Sequence, residues 1–201
     1  MSEKPRRILY LILLICFGLF NVSAQTAREL RQPPGQIMDS IGVIPGMIIG
    51  EAGAGGGYMT FPLAGRVGIQ GKIFANDILP KRLAELQAEA VKRGLTNIET
   101  VEGALTDPLF PVKDLDMIIM VYVLHDLEQP VDFLKNLIKY LKTDAPLVIV
   151  EKKIGGGSSS HDKSHFMTPE QITQLVTESG YRIRKIQNFL EYDTIFILNH
   201  H

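Results

Sequence analysis

The stretch Glu51-Ala52-Gly53-Ala54-Gly55-Gly56-Gly57 determines how the rest of this chain is interpreted. It follows the apolar run Met47-Ile48-Ile49 and precedes a segment, beginning at Tyr58, that can start a helix. A buried strand that runs through glycines into a helix brings backbone N–H groups and a helix N-terminus to a ligand in α/β proteins. The stretch therefore predicts a ligand-binding turn after the first strand, with a plain loop as the alternative.

The spacing of the glycines excludes two common nucleotide sites. A dinucleotide site has the pattern G-x-G-x-x-G, but Tyr58 stands three residues after Gly55. A phosphate loop needs Gly-Lys followed by Ser or Thr, whereas the glycines of this turn are followed by Tyr58-Met59-Thr60. The pattern that fits is G-x-G-x-G at Gly53, Gly55 and Gly57, with the carboxylate of Glu51 two residues before it.

Length and composition indicate a single globular domain. The chain has 201 residues, of which 45% are hydrophobic and 21% are charged, and its net charge is −1. This length is sufficient for a full hydrophobic core. Because the sequence has no basic block, nucleic acid is not expected as a partner. The oligomeric state is left open by the sequence.

The first 24 residues have the pattern of a bacterial secretory signal peptide. The basic segment 4–7 precedes the apolar run 8–20, and small residues then lie before Gln25. Thirteen apolar residues are short for a helix that spans a membrane. Residues 25–201 are therefore expected to be exported to the periplasm or beyond. An uncleaved membrane anchor is the alternative.

Apolar strands alternate with helices along the remainder of the chain, which predicts a doubly wound α/β sheet that ends in a hairpin. The polar segment 25–32 is expected to be a loose arm and the glycine- and serine-rich segment 155–160 a flexible loop. The strands are predicted at 47–52, 72–77, 97–101, 116–124, 146–150, 181–186 and 194–198, and the helices at 34–41, 58–67, 80–93, 130–141 and from a cap at Thr168 to Gly180.

Several further stretches occur in a matching order around this pattern. They are Ile44-Pro45-Gly46-Met47, Phe74-Ala75-Asn76-Asp77-Ile78, Gly94-Leu95-Thr96-Asn97-Ile98-Glu99, Asp116-Met117-Ile118-Ile119-Met120 with His125 after it, and Met167-Thr168. With the glycine turn, they make residues 32–198 resemble the class I S-adenosylmethionine-dependent methyltransferases, in the branch related to quinone-biosynthesis C-methyltransferases. The resemblance implies a Rossmann-like sheet of seven strands, the last antiparallel, with helices on both faces. It also implies methyl transfer to an unidentified small molecule.

The resemblance also implies a role for each residue that matches the family pattern. In its terms the glycine turn holds the methionine part of the cofactor, Asp77 accepts from the ribose hydroxyls, and the residues after the second and third strands flank the adenine. The implied cofactor residues are Glu51, Ala52, Gly53, Gly55, Gly57, Asp77, Ile78, Ala104, Leu105 and Val121. Capping of the helix near Pro80 is the alternative role of Asp77.

The chain departs from the family pattern at two positions that bear on activity. Relatives often carry an acidic residue just past the third strand, whereas this chain has Gly103-Ala104-Leu105. Asp107 is the expected substitute, and adenine binding through backbone contacts and packing is the alternative. Tyr122 stands where an acidic residue is common in this branch.

Two histidines are the candidate catalytic residues. His125 follows the fourth strand, at the sheet edge where ligands of open α/β sheets bind, so it is predicted to contact the acceptor or to act as a base. A histidine packed in the interior and bonded to the backbone is the alternative. His165 precedes the last helix and can close over the acceptor. No metal site is predicted, because His161, Asp162 and His165 lack further ligands and the only cysteine is Cys16.

Three functions were weighed. The first is a small-molecule methyltransferase that uses S-adenosylmethionine. The second is an exported protein that retains the nucleoside pocket without turnover, since the cofactor is made in the cytoplasm. The third, a nicotinamide-dependent oxidoreductase, is disfavoured by Tyr58 at the third-glycine position.

Overall fold

The computed structural model describes residues 28–154 and 166–200. The expected signal peptide, and the loop that holds His161 and His165, lie outside these residues, so the expectations for them remain predictions. In the described part of the chain, no helix combines the length and the apolar character needed to cross a membrane.

Strands β1 to β7 build one mixed sheet within the described residues. They are β1 (Ile48–Ala52), β2 (Lys72–Asp77), β3 (Ile98–Glu102), β4 (Met117–Val121), β5 (Leu147–Lys152), β6 (Tyr181–Gln187) and β7 (Asp193–His200). Their order is β3-β2-β1-β4-β5-β7-β6, with β1 to β5 in parallel pairs and β7 antiparallel to both of its neighbours. The predicted seven-stranded, doubly wound sheet with an antiparallel last strand is confirmed.

The helices begin where the sequence offers start signals. They are α1 (Pro34–Ile41), α2 (Thr60–Val67), α3 (Pro80–Lys92), α4 (Pro130–Ile138) and α5 (Pro169–Glu178), with a short 3-10 turn at Leu124–Asp126. Four of these helices carry a proline at their start, where a missing N–H group leaves no hydrogen bond unmade. At α5 the Thr168 side chain accepts from Gln171 N at 3.1 Å, and the Gln171 side chain accepts from Thr168 N at 2.7 Å. This capping box was predicted from the sequence.

Alternate residues of β4 show how the sheet is buried on both faces. Met117 and Ile119 pack into the core beneath α1, α2 and α3, while Ile118 and Met120 pack into the core beneath α4 and α5. All four side chains are fully buried. A strand covered on both faces requires an unbroken apolar run, which is the pattern seen in its sequence.

Two sequence-based boundaries are wrong. Strand β4 was expected to continue to Leu124 but ends at Val121, because Tyr122 adopts a φ of 61°, outside the strand region. The arm expected to be loose up to Gln32 is helical over residues 28–31, and Gln32 itself is 1% exposed. Both differences place additional side chains at the carboxyl edge of the sheet.

Candidate functional site

A cavity of about 900 Å³ lies beyond the carboxyl ends of β1, β2 and β4. The strand order reverses between β1 and β4, which is where open α/β sheets bind ligands. Of the residues expected to bind the cofactor, those that line the cavity are Glu51, Gly53, Gly55, Gly57, Asp77, Ile78, Ala104, Leu105 and Val121. Ala52 is not among the lining residues, because its side chain is fully buried in the core beneath α4 and α5.

Both the backbone conformation and the packing of this turn favour glycine over residues with a side chain. Gly53, Gly55 and Gly57 have φ values of 77°, 54° and 83°, which disfavour any side chain. A Cβ atom on Gly53 would lie 2.4 Å from a methyl group of Val123, and one on Gly57 would lie 2.5 Å from the ring of Phe61. A Cβ atom on Gly55 would meet only Arg82, at 3.5 Å. Gly55 therefore leaves open space on the cavity side of the turn.

Asp77 connects the glycine turn to the start of α3. Its Oδ2 accepts from the backbone N–H of Gly55 at 2.9 Å, and its Oδ1 accepts from that of Leu79 at 2.9 Å. Leu79 lies just before α3, and in the described part of the chain no side chain caps that helix, so the capping role left open by the sequence is not observed. Each carboxylate oxygen has a second acceptor position, so a ligand hydroxyl can bind without breaking either contact.

Glu51 is a buried carboxyl at the head of the turn. Its side chain is 2% exposed, and the Thr60 hydroxyl donates to Oε2. Burial raises the pKa of Glu51 to about 8, and the hydrogen bond from Thr60 offsets only part of this shift. At neutral pH the carboxyl of the ligand-free protein is therefore mostly protonated. A cationic ligand group beside it would favour the charged form.

Part of the cavity lining is apolar, although Arg82 of α3 and Arg93 after it also line the cavity. Ile78 and Leu105 line it and are 48% and 51% exposed, which is unusual for side chains of this type. Phe133 and Leu127 line it as well. These side chains form a surface against which a flat, apolar ring system can pack.

Asp107 does not take the place expected for it. It is absent from the cavity lining, and its carboxylate accepts from Lys139, from the Tyr140 hydroxyl at 2.6 Å and from Leu109 N at 3.0 Å. Burial acts to raise the pKa of Asp107, but the hydrogen bonds from Lys139 and Tyr140 hold it below its usual value. The expectation that Asp107 accepts from the adenine amino group is therefore wrong for this conformation.

His125 lies beneath the turn that follows β4, and its side chain is 4% exposed. Its Nδ1 lies 2.7 Å from Oε2 of Glu151, whose Oε1 accepts from Leu124 N at 2.9 Å. The hydrogen bond to Glu151 raises the pKa of His125, although burial opposes the shift. Its Nε2 lies 3.5 Å from Oδ1 of Asp126, which lines the cavity. The packed arrangement left open by the sequence is present, with a carboxylate partner in place of backbone.

Sequence reasoning missed the side chains that close the cavity from the N-terminal side. The Arg28 guanidinium lies 3.6 Å from the centre of the Tyr58 ring, and the Tyr58 hydroxyl donates to the carbonyl of Gln32. Gln32 Nε2 and the Tyr122 hydroxyl both donate to the fully buried carboxylate of Asp193, the former at 3.2 Å. The only available signal was the position of Tyr58 directly after the glycine turn.

The described residues 28–154 and 166–200 contain no cluster of three or more His, Cys, Asp or Glu side chains that could hold a metal ion. Position 165, the second candidate for catalysis, lies outside them, so the role of His165 remains a prediction.

Residues 49–144 match a family model described as a methyltransferase domain. Aklanonic acid methyltransferase DauC of Streptomyces sp. (strain C5) is 33% identical over 95 residues, which cover 47% of this chain and 43% of that protein. Nocamycin O-methyltransferase of Saccharothrix syringae is 32% identical over 101 residues, which cover 50% of this chain and 36% of that protein. The matched region thus spans less than half the length of either curated relative.

Among solved structures, a SAM-dependent methyltransferase from Aquifex aeolicus superposes with a TM-score of 0.79 at 22% sequence identity. The superposition covers 86% of this chain and 92% of that chain. At this identity the likeness shows that the two chains share a fold, over nearly the whole of the solved one.

Proposed function

We propose that this chain, which carries a methyltransferase domain over residues 49–144, is a class I S-adenosylmethionine-dependent methyltransferase that acts on a small molecule. One observation carries the proposal. The glycine turn and Asp77 meet on a single cavity at the carboxyl edge of the sheet, joined by the hydrogen bond from Gly55 N to Asp77 Oδ2 at 2.9 Å. The methyltransferase relatives that the chain matches support it.

The chemical character of the cavity fits the cofactor from end to end. The carboxyl of Glu51 suits an ammonium group, and the open face of Gly55 leaves room for an aliphatic chain. Asp77 can accept from a pair of hydroxyls, and Ile78 and Leu105 can pack on a purine. When bound, S-adenosylmethionine supplies a methyl group made electrophilic by its attachment to a sulfonium. The chain itself positions the reactants and excludes water, which can supply most of the catalysis.

We assign the acceptor atom to oxygen, because nocamycin O-methyltransferase, one of the matched relatives, is named for that chemistry. A hydroxyl must lose its proton as its oxygen gains the methyl group, and we assign that proton to Nε2 of His125. Glu151 supports this assignment, since it holds Nδ1 at 2.7 Å and so orients the ring and favours its protonated form. Asp126 must rotate to admit the acceptor, and its side chain is 61% exposed. We also propose that the chain belongs to the branch of these enzymes related to quinone-biosynthesis C-methyltransferases.

The second function, binding without turnover, is favoured by one observation. His125 is almost fully buried, and neither His125 nor Asp107 is among the residues that line the cavity. A protein that had lost catalysis but kept its glycine turn and Asp77 would look the same.

Turnover separates the two functions. The full chain is incubated with S-adenosylmethionine labelled in its methyl group and with simple phenols, and S-adenosylhomocysteine is measured by mass spectrometry. Phenol-dependent formation of this product, lost in His125→Gln, supports the methyltransferase. Tight binding without any product supports the binding protein. Absence of binding contradicts both.

We also propose that residues 1–24 direct export and are removed, with a membrane-anchored chain as the alternative. The basic segment 4–7, the apolar run 8–20 and the small residues before Gln25 support this. N-terminal sequencing of the protein from a fractionated bacterial host tests it. A mature end at Gln25 in the periplasmic fraction is expected, and an intact Met1 in the cytoplasm would contradict it.

A further inference from the structure

A second cavity lies beside the first, beyond the carboxyl end of β5. Its volume is about 330 Å³, at the lower end of the range of roughly 300–1,000 Å³ that small-molecule sites occupy. Its apolar lining includes Ile154, Met167, Ile172 and Phe196. A molecule with one aromatic ring and a few substituents is the size of ligand that such a space accepts.

Lys152 stands between the two cavities. It lines the second cavity, and its Nζ lies 4.7 Å from the ring centre of Tyr122, which lines the first. The same Nζ lies 6.0 Å from the ring centre of Phe166. The ammonium group is therefore bracketed by two aromatic rings where the two spaces adjoin.

In the described part of the chain Lys152 forms no direct ion pair, although it lies opposite Asp193 across β5 and β7 and attracts that carboxylate. None of the ion pairs within 4.0 Å among these residues includes Lys152. The neighbouring Lys153 is engaged differently, since its Nζ donates to the carbonyls of Asn188 and Leu190 at 3.0 and 2.5 Å. Of these two lysines that line the second cavity, Lys152 is thus the one placed to bind an anion.

The acidic groups near Lys152 already have partners. Glu151 accepts from Leu124 N and holds His125, while Asp193 accepts from Gln32 and Tyr122. A second cation is also close, since the guanidinium carbon of Arg28 lies 5.8 Å from the ring centre of Tyr122. The junction of the cavities therefore presents positive charge against aromatic and apolar walls.

We propose that the second cavity binds the ring of the methyl acceptor and that Lys152 pairs with a carboxylate on that ring, so that the acceptor is a small aromatic acid. This inference rests on the function proposed above and adds the acceptor's chemical class and position. Glu151 lines the second cavity and holds Nδ1 of His125, so a ring bound there lies one side chain away from His125, and its hydroxyl must extend toward Asp126 and the first cavity to reach Nε2.

Two ligands of the same shape, one charged and one neutral, test whether Lys152 pairs with a carboxylate. The full chain, saturated with S-adenosylhomocysteine, is titrated with 4-hydroxybenzoate and with 4-hydroxybenzamide, which has the same shape and no charge. The wild type should bind the acid about tenfold more tightly, the effect of one desolvated charge pair. Lys152→Met should abolish this preference, and Lys152→Arg should keep most of it. Lys142→Met, which removes the same charge at the opposite edge of the sheet, should leave it unchanged.

Methionine methyl signals in NMR spectra test the position. Met167 lines the second cavity and Met59 lines the first, so both acceptor probes should shift the Met167 signal, and S-adenosylhomocysteine the Met59 signal. Equal binding of the two probes, no binding of either at millimolar concentration, or a preference that survives Lys152→Met would overturn the proposal. If S-adenosylhomocysteine fails to bind while the acid still shifts Met167 in a Lys152-dependent way, the proposed function fails but the anion site stands.

Discussion

The carboxylate of Asp77 accepts a hydrogen bond from the backbone N–H of Gly55 at 2.9 Å, across 22 positions of sequence. This contact fixes the glycine turn after β1 against the end of β2, and so sets the shape of the cavity floor. Asp77 is 9% exposed, so the contact is largely shielded from water. The residue proposed to bind the ribose thus also organises the turn proposed to hold the rest of the cofactor.

Replacement of Asp77 should therefore impair binding in two ways. Asp77→Ala removes the acceptor for the ribose hydroxyls and leaves Gly55 N and Leu79 N unpaired, so we expect affinity for S-adenosylmethionine to fall by roughly 1–3 kcal/mol. Asp77→Asn is the matched control, since its single carbonyl oxygen can keep one backbone contact and should lower the melting temperature less. Calorimetric titration measures the affinities. An affinity unchanged in Asp77→Ala would remove the ribose assignment.

Gly55→Val should block the cofactor while leaving the core intact. The added side chain would meet no protein atom closer than Arg82 at 3.5 Å, so it projects into the space assigned to the methionine part. The positive φ of Gly55 adds a conformational cost of roughly 1–3 kcal/mol for valine. Loss of binding by calorimetry, with a cooperative melting transition retained, is the expected result.

Gly65→Ala is the control for that substitution. Gly65 lies inside α2, and a Cβ atom there would meet nothing within 4 Å. This change should raise stability by about 0.5–1 kcal/mol, as expected for alanine in a helix, without affecting binding. Normal cofactor binding by Gly55→Val would show that the cofactor does not lie on the glycine turn.

Cofactor binding should release a proton from Glu51. Because burial raises the pKa of this carboxyl to about 8, the ligand-free group is mostly protonated at pH 7, whereas an ammonium ligand requires the carboxylate. Calorimetric titrations at pH 7 in two buffers of different protonation enthalpy should give about one proton released per cofactor. Glu51→Gln should bind weakly and release none. Equal proton release by the variant would place the titrating group elsewhere.

The same pKa shift makes the stability of the fold depend on pH. Between the ordinary value of 4.5 and about 8 the folded protein binds more protons at Glu51 than the unfolded chain, so this group costs stability as the pH rises. Glu51→Gln stays neutral throughout. Its melting temperature relative to wild type should therefore increase steadily from pH 5 to pH 8. A difference that does not vary with pH would contradict the assigned shift.

The contact between His125 and Glu151 also loses stabilising effect as the pH rises, through a different group. The hydrogen bond to Glu151 holds the pKa of His125 above 6.5, so the contact stabilises the fold below that pH and is weakened as the pH rises through the folded-state pKa. NMR titration should show a pKa above 6.5 in the wild type and a lower one in Glu151→Gln. The other histidines serve as internal controls. An unshifted His125 in the variant would show that Glu151 does not tune it.

The parts of the site that were predictable from sequence are the parts built from short stretches. The glycine turn, Asp77 at the end of β2 and the capping box at Thr168 each depend on residues a few positions apart, and local chemistry determines them. The fold followed from the alternation of apolar strands and helices. The positions of Ile78 and Leu105, which flank strand ends, were implied by the family resemblance, and both residues line the cavity.

The remainder depends on contacts between distant segments. Gln32 meets Asp193 across 161 positions, and nothing local indicates that either residue will be buried. Asp107 was misplaced because Lys139 and Tyr140, which follow α4, draw its carboxylate away from the cavity. The strand predicted through Leu124 failed because Tyr122 adopts a positive φ while its hydroxyl donates to Asp193. Each of these outcomes was set by tertiary packing.

The central claim is that the cavity beyond β1, β2 and β4 binds S-adenosylmethionine, and calorimetric titration of the full chain with that molecule and separately with NAD tests it most directly. The account predicts micromolar binding of S-adenosylmethionine, no detectable binding of NAD, and loss of the first in Gly55→Val. Binding of NAD in preference, or of neither molecule, would contradict it.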